Sequence, residues 1–429
     1  MKKILLFLLI AFSIVSFSFG VDFGGYIENH SIIPFSNLDL REQINKLALW
    51  VAVSPSETVY ITAQASVGYS YDEYDILGDL DYLYLRQEFN NFSYKLGRFF
   101  QAEFTGKVFA HRLDGLQLDL SFPLANFMLG AGYSGLLLKP VSTLSNTLLD
   151  IEDDSDDDVM FAPKKIILNF GVSFPEIFAS QQLDIAVVAQ LDMRKTTAET
   201  GAAWEIKGGH LNTVYTGLGL SGMFFDSWIY DVYGYLQLGN SLSYISDIDE
   251  YRTKPLVAFL AGGSVSYLMR DFYFSKIRAS FMYASGDDDN ISVYEGNTKS
   301  INSQFIPVSE TVTGILFSPI LSNLMKAGLE YSLKPFSAGK LKDFQAGVSG
   351  AIYFSASEGA VKESKVSKNT SQQYLGTEAL LTLNYKPFSD FGITAAGGAF
   401  FPNTTSGGPI FEKYREIQPG VMINASFSF

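Results

Sequence analysis

Apolar and polar side chains alternate with a period of two along most of the chain. In residues 165–174, Ile166, Leu168, Phe170, Val172 and Phe174 fall on one side, and Lys165, Asn169, Gly171 and Ser173 on the other; Ile167 breaks the pattern. In residues 324–334, Met325, Ala327, Leu329, Tyr331 and Leu333 oppose Lys326, Gly328, Glu330, Ser332 and Lys334. Successive side chains of a strand point to opposite faces, so each stretch predicts a strand with one apolar and one polar face. About 18 such segments follow one another, from 21–33 to 417–429, including 80–89 and 126–138.

A soluble sandwich alternates as well, so three further features carry the distinction. The segments commonly run about 10–14 residues, where globular strands average about 5–6 and a tilted bilayer crossing takes about 9–11. Their polar faces carry Lys, Arg and Glu in mid-strand beside Gly and Ser, as a wet interior permits. Aromatic residues gather at segment ends, as at Tyr82/Tyr84, Phe99/Phe100, Phe224/Phe225, Phe272–Phe274 and Phe400/Phe401, the pattern of interfacial girdles. The fold predicted is all-β: an up-and-down antiparallel transmembrane β-barrel of about 18 strands, in the range 16–18, wide enough for an aqueous channel. With the N-terminus on the periplasmic side, gaps 54–57, 89–91 and 387–390 are short periplasmic turns. Gaps 99–112, 138–165, 286–323, 356–374 and 401–417 are long external loops.

Both ends of the chain support this reading. Met1-Lys2-Lys3, an apolar run from Ile4 to Phe17, and Ser18-Phe19-Gly20 form the three-part pattern of a cleaved secretory signal over 1–20, leaving 21–429 as one barrel. No Cys follows the expected cut, so a lipoprotein is excluded. The chain ends with Val421, Ile423, Ala425, Phe427 and Phe429 alternating outward. This ending resembles the C-terminal signal that the barrel assembly machinery reads, with Phe429, Phe427, Ile423 and Val421 as its residues. Strands 21–33 and 417–429 are expected to close on each other, because every backbone group in lipid needs a partner.

Composition removes most other function classes. Cys is 0, which excludes disulfides, thiolate metal sites and cysteine nucleophiles together. His is 3 (His30, His111 and His210), and none stands in a Ser/His/Asp or metal-ligand spacing, so no catalytic residue, metal or cofactor is expected. A net charge of −14 argues against nucleic acid. Aromatics at 15% argue against disorder. The acidic stretch 149–159, and more weakly Asp287–Asp289, poses a divalent-cation question that the spacing leaves open.

The polar strand faces hold the candidate pore-lining residues: Arg86, Glu88, Arg98, Arg112, Arg194, Lys276, Arg278, Lys326 and Glu330. Rings of charge select solutes in pores, and the Arg fork suits carboxylate and phosphate. Inward tyrosines such as Tyr82, Tyr84, Tyr233, Tyr235 and Tyr353 offer stacking surfaces for sugars, or simply fill the wall.

Two stretches resemble the alginate-export family of outer-membrane porins. Leu96-Gly97-Arg98-Phe99 followed by Arg112-Leu113-Asp114-Gly115-Leu116-Gln117-Leu118 looks like its Gly-Arg and Asp-Gly strands. Tyr283-Ala284-Ser285-Gly286-Asp287, with Phe305, Gly314 and Ser322-Asn323-Leu324, looks like its Ala-Ser-Gly-Asp turn and Asn-Leu strand. The resemblance implies an 18-stranded barrel passing anionic polysaccharide through an arginine-lined pore, with Arg98, Arg112 and Arg278 as pore residues.

The expectation is a non-enzymatic, monomeric or homotrimeric barrel in the cell outer membrane, in contact with its lipid. It would pass hydrophilic solutes, anionic or saccharide among them, by diffusion. The alternative is a structural or adhesive surface protein whose barrel is plugged by loop 286–323. A fatty-acid-type transporter is disfavoured, because strand pattern begins at Val21 with no room for an N-terminal plug.

Overall fold

The computed structural model describes residues 20–35, 42–70, 75–144, 146–194, 210–245, 250–290, 301–367 and 371–429. The expected signal segment 1–20 lies outside these residues except for Gly20. Eighteen strands follow in chain order: β1 Gly20–Pro34, β2 Glu42–Ser56, β3 Val59–Ser70, β4 Asp75–Glu88, β5 Phe92–Ala102, β6 Ala110–Ser121, β7 Asn126–Tyr133, β8 Lys165–Phe178, β9 Gln181–Asp192, β10 Leu211–Phe224, β11 Trp228–Ile245, β12 Glu250–Met269, β13 Ser275–Ala284, β14 Leu324–Leu333, β15 Gln345–Phe354, β16 Tyr374–Phe388, β17 Phe391–Pro402 and β18 Gln418–Ser428. Each pairs antiparallel with the next, and β1 pairs with β18, so one 18-stranded sheet closes into a barrel. At the seam Gly25 and Phe429 exchange both backbone hydrogen bonds, each at 2.9 Å. Closure leaves no edge, which is the condition for a sheet surrounded by hydrocarbon.

The alternation sets the two faces. Leu96, Leu329, Val348 and Leu381 are among the large apolar side chains exposed on the outside. Even-to-odd connections are short, as at 57–58, 89–91, 179–180 and 389–390, apart from 334–344, while odd-to-even connections carry the long loops 134–164 and 285–323. Gly20 and Phe429 lie on the short-turn side, where Ser428 N donates to Asp390 O.

The two strand boundaries that depart most from the sequence pattern do so for physical reasons. β4 begins at Asp75, not near 80, because its ladder slips between Gln64 and Ala65: Tyr82 faces Gln64, Leu80 faces Ala65, and Asp81 is the extra residue. Such a bulge shifts the phase of alternation and hides the strand's first half. β7 ends at Tyr133, not 138, because the chain leaves the wall at Ser134 and turns into the lumen.

The lumen is not uniformly wet. The described residues of loops 103–109, 134–164 and 285–323 fold inward and pack against β8–β12. Val108, Phe109, Leu144, Phe305, Ile306 and Val308 meet Ile167, Val188, Leu211, Ala258 and Leu260 in one apolar cluster. Ile167 breaks the alternation because the lumenal face at that height is dry. A second cluster joins Leu316 and Phe317 of the β13–β14 loop to Tyr353, Leu375 and Phe400 on β15–β17, with Phe317 and Phe400 stacked at 4.2 Å. That loop therefore crosses the lumen. At one end the Tyr215 hydroxyl of β10 donates to Ile306 O at 2.5 Å, and at the other Leu316 N donates to Glu378 of β16 at 2.6 Å.

Candidate functional site: the lumenal constriction

Two buried glutamates hold the inserted loops in shape. Glu103, at the end of β5, accepts from Thr105 N at 2.5 Å, Lys107 N at 2.8 Å and Val108 N at 3.0 Å, and from the Tyr235 hydroxyl of β11. Phe104 stacks on Tyr235 at 5.5 Å. Glu378 accepts from Ile315 N, Leu316 N and Phe317 N at 3.2, 2.6 and 3.2 Å. A carboxylate gathering three backbone donors satisfies groups that would otherwise be stranded in a dry interior.

Between these loops and the wall of β11–β16 lies a cleft of about 390 Å³. Lys107 from the β5–β6 loop, Arg278 from β13 and Lys326 from β14 converge on it, with Asp231, Tyr233, Glu330 and Glu378. Lys107 Nζ lies 5.8 Å from the Tyr233 ring centre, and Lys326 Nζ lies 5.2 Å from that of Tyr353. Lys326 also donates to Thr313 O. Among the described residues no carboxylate oxygen comes within 4.0 Å of either ammonium. Burial pushes the Lys107 pKa below the ordinary lysine value, and Glu103 and Asp231 offset this only in part. Arg278 approaches Asp231 at 3.7 Å and stands opposite Glu330 in the β13–β14 register. The site thus presents cations from three elements, two of them cushioned on aromatic faces.

The other candidate residues are placed differently. Arg112 binds Asp79 at 2.8 Å and Asp81 at 2.5 Å; Asp81 also holds Lys46 and Gln64, so Arg112 belongs to a closed network on β2–β4. It reaches inward because the β4–β5 ladder ends at Leu83/Arg98 and the β6–β7 ladder at Asp114/Tyr133, which lets the β5–β6 tip lean into the lumen. Arg98 sits at that departure point, on the strand face of outward Leu96. Its fork meets Asp114 at 3.0 and 2.8 Å, and it donates to Leu80 O and Leu136 O. Arg86 pairs with Glu88 at 2.6 Å near the short-turn end, and Lys276 stands opposite Ser332 at that same end.

Arg194 belongs to a buried clamp on the β7–β8 loop. The acidic stretch forms helix α1, Leu148–Ser155, whose start carries a Thr147/Asp150 capping box. Asp150 binds Lys165 at 2.6 Å and Arg194 at 2.8 Å, while Arg194 also holds Asp192 at 2.5 Å. Burial alone would raise the Asp150 carboxyl; Lys165 and Arg194 outweigh it and hold its pKa below the ordinary range. His111 Nε2 accepts from Thr143 N at 3.1 Å, a second tie to the same loop. Val421, Ile423 and Phe427 alternate on β18, paired to β1 and β17, and Phe429 follows its end.

Sequence reasoning missed Lys107, Glu103, Glu378 and Asp231. Lys107 stands in a loop with no periodicity, and the partners of both glutamates are distant in sequence.

No family model matches the chain, and no curated protein does. Solved structures do match. Pseudomonas aeruginosa OccK11 (OpdR) is 9% identical at a TM-score of 0.56, over 95% of this chain and 96% of that one. OccK5 (OpdH) of the same organism is 12% identical at 0.55, over 95% and 98%. The outer membrane protein OpdK of P. aeruginosa is 9% identical at 0.55, over 95% and 98%, and its structure with vanillate is also known. The likeness spans nearly the whole of each chain and is one of fold.

Proposed function

We propose that this chain is a non-enzymatic outer-membrane channel for passive passage of hydrophilic solutes, biased toward anions at its constriction. One observation carries the reading: Lys107 and Lys326 converge on a single water-accessible cleft with no carboxylate of the described residues at ion-pair distance. In a narrow low-dielectric passage such charges act on a passing solute more strongly than on the surface. Export by the signal segment, assembly through Phe429 and Phe427, and a monomeric or trimeric state complete the proposal. The alginate-export resemblance would make the solute an anionic polysaccharide; of its three arginines, Arg278 lines the cleft. The fold of OpdK, an outer membrane protein, supports the location.

The apolar cluster formed by the inserted loops favours a second reading, a plugged surface barrel. Single-channel recording of refolded residues 21–429 separates the two. Steady conductance with anion preference, reduced in Lys107→Gln/Lys326→Gln, is the expected result. A closed barrel would sink the channel reading.

A further inference from the structure

One connection on the short-turn side is unlike the rest. The β14–β15 turn runs from 334 to 344, whereas the β2–β3, β8–β9 and β16–β17 turns are 57–58, 179–180 and 389–390. It carries Lys334, Lys340 and Lys342 against Asp343, a positive balance in a chain of net charge −14. The neighbouring short turns hold Glu57, Asp226, Asp390, a balanced Arg270–Asp271, or no charge. The turn is also held in place. The Tyr385 hydroxyl donates to Lys340 O at 3.1 Å, and Phe336, Phe344 and Tyr385 form a chain of rings 5.9 and 6.2 Å apart. Tyr385 lies on the outer face of β16, in register with outward Ile393. These contacts lay the turn against the outer wall.

Lys334 N donates to Tyr273 O at 2.8 Å, joining the turn to the exposed β12–β13 turn. There Tyr273 and Phe274 adopt φ of 51° and 45°, a region that non-glycine residues occupy at a cost. The same pair of positive φ values recurs at 179–180 and 225–226 and is the geometry of a tight hairpin turn. Here it holds two aromatic rings exposed at the rim.

We propose that the β14–β15 turn docks the anionic headgroups of phospholipid in the leaflet on the short-turn side. Phe336, Phe344 and Tyr385 sit at the hydrocarbon boundary, and Lys334, Lys340 and Lys342 meet the phosphates. Aromatic rings favour this boundary, and clustered lysines recruit anionic lipid. The inference rests on the outer-membrane reading, which supplies the bilayer and its orientation.

The test is native mass spectrometry of the intact barrel with equal phosphatidylglycerol and phosphatidylcholine. The wild type should retain phosphatidylglycerol preferentially. Lys340→Gln/Lys342→Gln should lose that preference by about five-fold per lysine, and Lys413→Gln, on the opposite rim, should keep it. Equal retention of the two lipids by the wild type would overturn the proposal. So would unchanged preference in the double variant, or an equal loss in Lys413→Gln. Conductance of the same preparations distinguishes the readings: a barrel that selects phosphatidylglycerol but passes no ions overturns only the channel, and a conducting barrel without lipid preference overturns only the docking surface.

Discussion

Arg112 and Lys165 end on buried aspartates, while Lys107 and Lys326 end over tyrosine rings beside open space. All four are cations inside one barrel. The first two close networks with Asp79, Asp81 and Asp150, and their charge is spent on holding strands and a loop together. The second two keep their charge for whatever enters the cleft. A lumenal cation therefore says little by its type; the carboxylates within reach decide whether it builds the wall or faces the solute.

The largest effect should come from breaking the closed group. Lys165 is fully buried, so Lys165→Met leaves the Asp150 carboxylate with Arg194 as its one remaining cation among the described residues, takes the donor from Leu144 O and Asn146 Oδ1, and should cost about 3 kcal/mol. Unfolding of the barrel in denaturant measures it. Asp150→Leu/Lys165→Met should recover most of the loss, because apolar replacement of a whole buried pair is often neutral. A double variant no better than the single would break the comparison.

Next comes the open group. Lys107→Gln/Lys326→Gln should lower the anion-to-cation permeability ratio several-fold and leave the unfolding transition nearly in place. Reversal potentials across a salt gradient read the first quantity.

Acid should separate the two inserted loops by a smaller amount. Asp150 titrates below its ordinary value, so its clamp contributes fully above that range and is lost as pH falls below it. Asp287, in the β13–β14 loop, is raised to about 6 by burial and by Asp289. Its folded form takes up a proton first, so this group adds stability as pH falls from about 6 toward 3.8. Limited proteolysis at stepped pH should show the β13–β14 loop firming before the β7–β8 loop opens. The smallest effect is expected at Arg98. With its charge answered by Asp114, Arg98→Gln should leave ion selectivity unchanged and raise only proteolysis near Leu136.

The strands were legible because alternation is a local property, and β8 and β14 announce themselves within ten residues. The inserted loops were not, since a loop's sequence does not say which way it folds. Ile167 was the available clue: an apolar residue on a polar face marks a wall that something covers. Arg98 and Arg112 read as pore residues from the strand pattern and the family resemblance. The hairpin's departure from the wall, which sets their surroundings, depends on where two neighbouring ladders stop. Lys326 and Glu330 were legible because β14 stays regular through the cleft.

The mutual bonds of Gly25 and Phe429 join nearly the first described residue to the last. No other strand pairing spans so much sequence, so loop-closure entropy weighs on it most heavily. Until β18 is in place, β1 and β17 each expose an unpaired edge, and the half-made sheet is open to strand exchange with another copy. The seam thus makes β18 the piece on which closure turns: without it β1 and β17 would meet parallel, and the antiparallel ladder that completes the cylinder would be missing.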